Sequence, residues 1–228
     1  YVLGVTTHQM NRDYDYGGQT LNQVQLLETL GCFSKPLPRP TRDLPRLVDY
    51  RASTNDLGLR ARSYLHANCS HCHRKWGGGN ARFQLLATLD LGDTGTLNVR
   101  PGQGTFGMAS AKVLAAGDPY RSVMFFRMSK LGSGRMPRIG SSVIDPVGTK
   151  LIKEWIATLP AASPESHIAQ ARGETAVALK TLRTSKTAAG RTAQITALLQ
   201  STSGAIRLLQ AANSKQLDPA TRQQVITS

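Results

Sequence analysis

Four Asp-Pro or Ser-Pro pairs constrain the fold of this chain more than any other feature of the sequence, because each marks the start of a helix. They are Asp118-Pro119, Asp145-Pro146, Ser163-Pro164 and Asp218-Pro219. Proline at the first helical position loses no hydrogen bond, and the Asp or Ser oxygen accepts one from an otherwise unsatisfied backbone N–H. We therefore expect helices that begin at residues 119, 146, 164 and 219, in a mostly α-helical fold.

Apolar periodicity adds detail to two of the predicted helices. Between 146 and 159 the apolar residues recur every three or four positions: Val147, Leu151, Ile152, Trp155, Ile156 and Leu159. From Thr20 to Leu30 a second apolar face recurs, formed by Leu21, Val24, Leu27 and Leu30, and Gly31 stands where a helix stop belongs. Only 83–115 is expected to be irregular or to form short strands.

Composition divides the chain into three regions. Residues 1–52 are expected to form an N-terminal helical segment followed by a linker, because the prolines between Lys35 and Pro45 exclude a helix. Residues 53–160 form a central block that contains the distinctive chemistry. Residues 161–228 are rich in Ala, Gln and Thr and contain no aromatic residue, and their apolar positions predict three or four short helices.

The central block contains the sequence Cys69-Ser70-His71-Cys72-His73. Two cysteines at i and i+3 on a helical turn can form thioethers to the two vinyl groups of one porphyrin, and the imidazole of the next residue can bind the iron. The stretch from Leu57 to Asn68 is expected to supply the helix that ends in this turn. The spacing therefore predicts one covalently attached haem c, held by Cys69, Cys72 and His73.

Two other kinds of cysteine site, and a chance match, stay open at this point. A zinc site needs four N or S ligands, whereas Cys32 is the only other thiol and His8 and His167 are isolated. A thioredoxin-like redox pair belongs in a βαβ context that the predicted helices do not provide. We expect His66 and His71 to face solvent or the haem propionates, and Cys32 to be a small buried hydrophobe.

Met136 is the methionine predicted to supply the second axial ligand to the iron. It lies in a glycine-rich loop, Gly132 to Pro137, sixty-three residues after His73. Met124 and Met128 fall within the apolar helix that follows Pro119, so core packing is expected for both. Met10 and Met108 remain alternatives.

The order of these motifs resembles a class I c-type cytochrome and, more narrowly, the CxxCH haem-binding proteins of planctomycetes and related bacteria. The likeness runs from Tyr1 to about Leu159, and the segments that carry it are 9–16, 22–23, 63–73, 77–80, 117–122 and 135–137. Residues 165–228 are similar to a HEAT-like helical stretch in some of these proteins. The family often has two prolines after the ligand methionine, whereas here Pro137 is followed by Arg138.

This resemblance implies single-electron transfer through a His- and Met-ligated haem, in a module of a larger redox protein or complex. The chain shows no catalytic triad, carboxylate dyad or phosphate loop, so we expect no further catalysis from it. The alternative is a haem-based redox or gas sensor with a labile sixth ligand. The residues expected to line the haem are Leu65, Phe125, Phe126, Ile152, Trp155 and Ile156. The arginines expected either to pair with the propionates or to face solvent are Arg82, Arg100, Arg135 and Arg138.

Charge and cysteine use bear on partners and location. The net charge is +14, yet no Lys/Arg run is longer than Arg74-Lys75, which argues against nucleic acid. We expect an acidic redox protein, or other domains of the same polypeptide, as the partner. No apolar run is long enough for a transmembrane segment. Haem c is attached outside the cytoplasm, so a periplasmic or cell-surface location is expected.

The first residue bears on how much of the protein this chain represents. The chain begins with Tyr1 rather than Met, so we expect a processed chain or a fragment. Relatives in the family that the chain resembles can carry another CxxCH upstream of the region that matches Tyr1. A second haem in a region before Tyr1 is therefore a further expectation.

Overall fold

The computed structural model describes residues 6–161 and 166–228, and the chain splits into two compact units, Tyr1–Gly95 and Thr96–Ser228. Within the described residues there are nine α-helices and a single two-stranded sheet. The prediction of a mostly α-helical protein is therefore confirmed. No helix in the described ranges is both long and apolar enough to cross a membrane.

The first unit contains a small hairpin and three helices. Its elements are α1 (Thr7–Met10), β1 (Asp13–Asp15), β2 (Thr20–Asn22), α2 (Gln23–Thr29) and α3 (Leu57–Cys69). The strands are antiparallel, with Tyr14 opposite Leu21. Gly17 and Gly18 lie in the turn between the two strands, and they adopt the positive φ angles, 82° and 97°, that this turn requires.

The helix expected from Thr20 begins later, at Gln23. Residues 20–22 pair with β1 instead, and the Asn22 side chain accepts hydrogen bonds from the amides of Val24 and Gln25 at 3.0 and 3.2 Å. This cap sets the first turn of α2. Of the predicted apolar face only Val24 is buried, whereas Leu21 and Leu30 are exposed.

The end of α2 confirms the predicted stop and corrects the prediction for Cys32. Gly31 has φ 69°, its amide donates to Glu28 O at 2.9 Å, and the Cys32 amide donates to Leu27 O at 3.0 Å. These two bonds form a Schellman cap. The cap turns the chain outward, so the Cys32 thiol is free and exposed rather than buried.

A buried asparagine anchors the proline-rich linker. Asn11 is 2% exposed, and its side-chain amide donates to Thr41 O at 2.8 Å and to Leu44 O at 3.0 Å. Its carbonyl oxygen accepts from the side chain of Asn22 at 2.9 Å. The linker has no regular structure apart from a 3₁₀ turn at Thr41–Asp43. Asn11 therefore supplies hydrogen bonds to two backbone carbonyls of the linker, of which Thr41 O also accepts from the Leu44 amide at 3.2 Å.

The second unit contains a 3₁₀ turn and six helices. These are the turn Pro119–Arg121, α4 (Val123–Met128), α5 (Pro146–Thr158), α6 (Ser166–Thr184), α7 (Ala188–Leu199), α8 (Thr202–Asn213) and α9 (Pro219–Ile226). The starts predicted at 146 and 219 are confirmed. The start predicted at 164 lies outside the described residues.

The predicted α-helix at Pro119 is a 3₁₀ turn, and the α-helix begins only at Val123. Asp118 caps the turn as expected, since its side chain accepts from the Tyr120 amide at 3.1 Å. The buried Ser122 hydroxyl then donates to Asp118 O at 2.9 Å and accepts from the Ala115 amide at 2.9 Å. These local bonds compete with the α-helical pattern and delay the helix. The segment 83–115 is irregular, as predicted, apart from a 3₁₀ turn at Gly92–Thr94 and isolated bridges.

Helix α5 buries a slightly different face from the one that the sequence predicts. Asp145 caps it by accepting from the amides of Val147 and Gly148, both at 3.0 Å. The side chains that it buries are Leu151, Ile152, Trp155 and Ile156. Val147 is 47% exposed, because it lies in the first turn, one turn before this face begins.

The alanine-rich tail forms four helices within the described residues, and each packs against the next in chain order. The buried side chains of its core are Leu182, Ile195, Leu198, Leu208, Ala211, Ala212 and Leu217. The tail also contacts the earlier part of its own unit. The Thr202 hydroxyl donates to Phe106 O at 2.7 Å, and the Ser203 hydroxyl donates to Tyr120 O at 2.8 Å.

Candidate functional site

The Cys-X-X-Cys-His sequence forms the turn that continues α3 beyond its last residue. Asp56 caps the start of this helix by accepting from the Leu59 amide at 2.9 Å, and the helix ends at Cys69, one residue after the predicted Asn68. The amides of Cys72 and His73 both donate to Cys69 O, at 3.2 and 2.9 Å. Both thiols are free. The turn therefore presents two unlinked thiols and two imidazoles, those of His71 and His73, within five residues.

A glycine loop closes tightly on the back of this turn. The Gly79 amide donates to Cys72 O at 3.1 Å, and the Gly77 amide donates to Arg74 O at 2.9 Å. A Cβ atom at Gly77 would lie 2.5 Å from Cys72 O, and one at Gly79 would lie 2.8 Å from it, whereas one at Gly78 would meet nothing within 4 Å. Only glycine at 77 and 79 allows the loop to approach the Cys72 carbonyl this closely.

The His73 ring is held by an aromatic neighbour that sequence reasoning missed. Phe83 stacks on it with a centroid distance of 4.6 Å and an interplanar angle of 4°. The Leu85 amide donates to His73 O at 2.8 Å and fixes the backbone there as well. Imidazole binds metals through nitrogens at its edge, so a partner stacked on its face orients the ring without covering those nitrogens. In the sequence, Phe83 is marked only as the first residue of the segment 83–115, which is expected to be irregular or to form short strands.

The environment of Cys69 disfavours its thiolate. Burial raises the pKa of the Cys69 thiol to about 12, and the nearby Cys72 adds to the effect. Cys69 also lies at the C-terminal end of α3, where the helix dipole disfavours negative charge. Redox-active cysteine pairs have lowered pKa values, usually at helix N-termini. The Cys69 thiol is thus poorly suited to thiol–disulfide exchange.

His66 is buried, at 7% exposure, which corrects the expectation that it faces solvent. Its Nδ1 accepts from the Ala87 amide at 3.0 Å, and its ring stacks on His8 at 5.5 Å. Burial, then His8 and Arg74, lower the pKa of His66, and burial lowers that of His8. The pair borders a cavity of about 400 Å³ behind the turn, which His71 also lines. His71 is half-buried.

The loop that carries Met136 is tied to α4 within the second unit. The Met136 amide donates to Arg127 O at 2.9 Å, and Arg127 Nε donates to Gly134 O at 2.7 Å. Burial lowers the pKa of Arg127, with Arg138 second. A Cβ at Gly134 would lie 2.8 Å from the Phe106 ring. The Met136 residue is half-buried.

The other methionines differ in burial. Met108 is 4% exposed in a cluster with Ala111 and Val123, and Met124 is 9% exposed within α4. The core packing expected of Met124 is confirmed. Met10 and Met128 are half-buried, so Met128 packs less completely than expected.

The four arginines proposed for the propionates differ in their contacts. Arg135 donates to Ser141 O at 2.6 Å and to the Ser141 hydroxyl at 3.1 Å, so it braces its own loop. Arg82, Arg100 and Arg138 are exposed. Among the residues expected to line a haem, Phe126 is only half-buried, and the rest are buried: Leu65, Phe125, Ile152, Trp155 and Ile156.

Comparison with known proteins returns no match: no family model, no curated protein and no solved structure is similar to this chain. In residues 6–161 and 166–228, no three His, Cys, Asp or Glu side chains form a group that could hold a metal ion. The chemistry of the candidate site therefore depends on the turn itself and on the residues that hold it.

Proposed function

We propose that this chain carries one haem c, bonded to Cys69 and Cys72, and transfers single electrons as a module of a larger redox protein or complex. The observation that carries the proposal is the turn at the end of α3, with two free thiols and His73 stacked on Phe83. When bound, haem c supplies a one-electron ferric/ferrous couple.

The residues of the turn have separate tasks in this proposal. The thiols of Cys69 and Cys72 would each form a thioether, which would fix the group to the end of a helix. The His73 imidazole would bind the iron, and Phe83 stacks on this ring at an interplanar angle of 4° and orients it. Gly77 and Gly79 allow their loop to pack closely against the Cys72 carbonyl. The donor set, two unlinked thiols followed at once by an imidazole, fits a covalently attached haem.

A dithiol redox function is less well supported by the same residues. It requires a nucleophilic thiolate, whereas the pKa of Cys69 is raised and its helix end has the unfavourable polarity. Thioether formation uses the two thiols once and has no need of a permanently ionised sulfur. The environment of Cys69 therefore favours covalent attachment over exchange chemistry.

Met136 is our proposal for the sixth ligand. Its half-buried thioether stands on a loop held by Arg127 and Gly134, whereas Met108 and Met124 are committed to the core. A neutral thioether favours ferrous iron and raises the reduction potential relative to a second imidazole. Arg127 and Gly134 would then position Met136 by limiting the movement of its loop.

We also propose a fold for two regions of the chain. Residues 53–160 form a class I cytochrome c-like domain, and the tail, residues 161–228, is HEAT-like. The cytochrome proposal rests on the motif order, and the tail proposal on the packing of each tail helix against the next. We further propose a periplasmic or cell-surface location, and a basic surface that steers an acidic redox partner to the protein.

A redox titration of the full chain, produced with haem attachment, tests the proposal. We expect a single one-electron transition, and a lower midpoint potential with new carbon monoxide binding when Met136 is replaced by alanine. Met128→Ala, another half-buried methionine, is the control and should change neither. Rapid carbon monoxide binding by the unaltered protein would instead favour a sensor with a labile sixth ligand, and the absence of any redox transition would refute electron transfer.

A further inference from the structure

A second cavity, of about 710 Å³, lies within the second unit and has no part in the proposed haem site. The 3₁₀ turn at 119–121 and the helices α5, α6 and α8 surround it. Four cationic side chains line it: Lys150, Lys153, Arg183 and Arg207. Glu154 is the single carboxylate among its lining residues. The volume falls within the range of about 300–1,000 Å³ that is usual for small-molecule sites.

Two of the cations that line this cavity lie against the ring of Tyr120, which lines it as well. The guanidinium carbon of Arg207 lies 3.9 Å from the ring centroid, and Lys153 Nζ lies 5.4 Å from it. Gln210 Oε1 accepts from the Tyr120 hydroxyl at 3.0 Å and from Lys153 Nζ at 2.9 Å. Lys153 and Arg207 are half-buried. Two cations are therefore held in defined positions by one aromatic ring and one amide.

The charges in the cavity are unbalanced. Glu154 lies 3.8 Å from Lys150, and both are largely exposed. Within the described ranges, Lys153, Arg183 and Arg207 have no carboxylate within 4.0 Å. Gathering like charges without counter-ions is unfavourable, and a bound anion would relieve this repulsion.

We propose that this cavity binds a small phosphorylated molecule that carries at least two negative charges. Phosphate oxygens match the planar fork of Arg207 and the point charge of Lys153. Arg183 and Lys150 add two further positive charges to the lining, which favours a ligand with more than one phosphate group. The cavity joins α5 to the tail helices α6 and α8, which would link the tail to ligand binding. This proposal does not depend on a bound haem.

The test is calorimetric titration of the full chain with inorganic pyrophosphate at constant low ionic strength. We expect saturable one-to-one binding that weakens at least tenfold in the double variant Lys153→Gln, Arg207→Gln. The control Lys186→Gln removes an exposed lysine outside the cavity and should alter affinity less than twofold. Absence of saturable binding, or an equal loss in the control, would overturn the proposal, because either result denotes no site or only nonspecific charge attraction.

A second measurement keeps the test valid if the double variant fails to fold. In amide NMR spectra of the unaltered chain, pyrophosphate should shift the resonances of Tyr120, Lys153 and Arg207 along one saturable curve. Two results would contradict a small-molecule site. One is that pyrophosphate shifts the resonances of all exposed basic residues. The other is that an acidic peptide or an oligonucleotide of equal charge causes larger shifts than pyrophosphate does.

Discussion

The guanidinium of Arg172 lies 2.6 Å from the carboxylate of Asp118, whose side chain is only 3% exposed. Arg121 contacts the same carboxylate oxygen at 2.8 Å, and the other oxygen caps the turn at the Tyr120 amide. Asp118 therefore has two functions. It starts the 3₁₀ turn, as the sequence predicts, and it ties helix α6 of the tail to that turn.

Replacing Asp118 with alanine should lower the free energy of unfolding by about 3 kcal/mol or more, because two guanidinium groups lose a buried partner and the turn loses its cap. Arg172→Ala should cost less, about 1–2 kcal/mol, since Arg121 still compensates the carboxylate. Chemical denaturation measures both. The exposed pair Lys150–Glu154 provides the control, and Glu154→Ala should change stability by less than about 0.5 kcal/mol. Equal losses in all three variants would contradict a specific role for Asp118.

Haem attachment should depend on two glycines but not on the one between them. In Gly77→Ala the new Cβ would lie 2.5 Å from Cys72 O, and in Gly79→Ala it would lie 2.8 Å from it. Either clash would distort the turn. We expect a several-fold smaller fraction of chains with covalent haem in each. Gly78→Ala meets nothing within 4 Å and should attach haem normally. Intact-protein mass spectrometry gives the fractions, and equal attachment in all three variants would mean that the loop does not support the site.

Two adjacent leucines of helix α7 differ in burial, and only the first belongs to the core of the tail. Leu198 is 2% exposed and Leu199 is 47% exposed. Leu198→Ala leaves a cavity and should cost about 3 kcal/mol of unfolding free energy, whereas Leu199→Ala should cost less than about 0.5 kcal/mol. Urea denaturation of the full chain compares them. Similar midpoints for the two variants would show that the helices do not pack as described.

Without haem, the Cys69 thiol should be slow to react at neutral pH. With a pKa of about 12, roughly one Cys69 side chain in ten thousand is ionised at pH 8, so alkylation should accelerate about tenfold for each pH unit above that. The raised pKa also means that folding stability is lost as pH rises from about 9 towards 12. A Cys32→Ser, Cys72→Ser background removes the other two free thiols and isolates the signal of Cys69. Rapid alkylation of Cys69 at pH 7 would contradict the raised pKa.

Local sequence signals predicted the helices well, and their failures have local causes. The caps at Asp145 and Asp218 act as expected, because a cap requires only neighbouring residues. At Pro119, the buried Ser122 hydroxyl redirected the backbone into a 3₁₀ turn. Cys32 is exposed because the cap at Gly31 turns the chain outward, which composition does not reveal.

The site was predictable in its chemistry but not in its supports. The five residues from Cys69 to His73 contain two thiols, and the imidazole of His73 follows the second of them directly. Phe83, which stacks on His73, lies ten residues after it in the sequence, across an irregular segment. Ala87, whose amide donates to His66, lies twenty-one residues after His66. No periodicity marks such pairs, so the burial of His66 was missed.

The most direct test of the central claim is the mass of the peptide that contains Cys69 and Cys72, isolated from chain exported by cells that attach haem c. We predict that this peptide carries the mass of one haem, and that Cys69→Ala combined with Cys72→Ala abolishes the addition. An unmodified peptide from the exported, folded chain would contradict the claim that this turn binds haem.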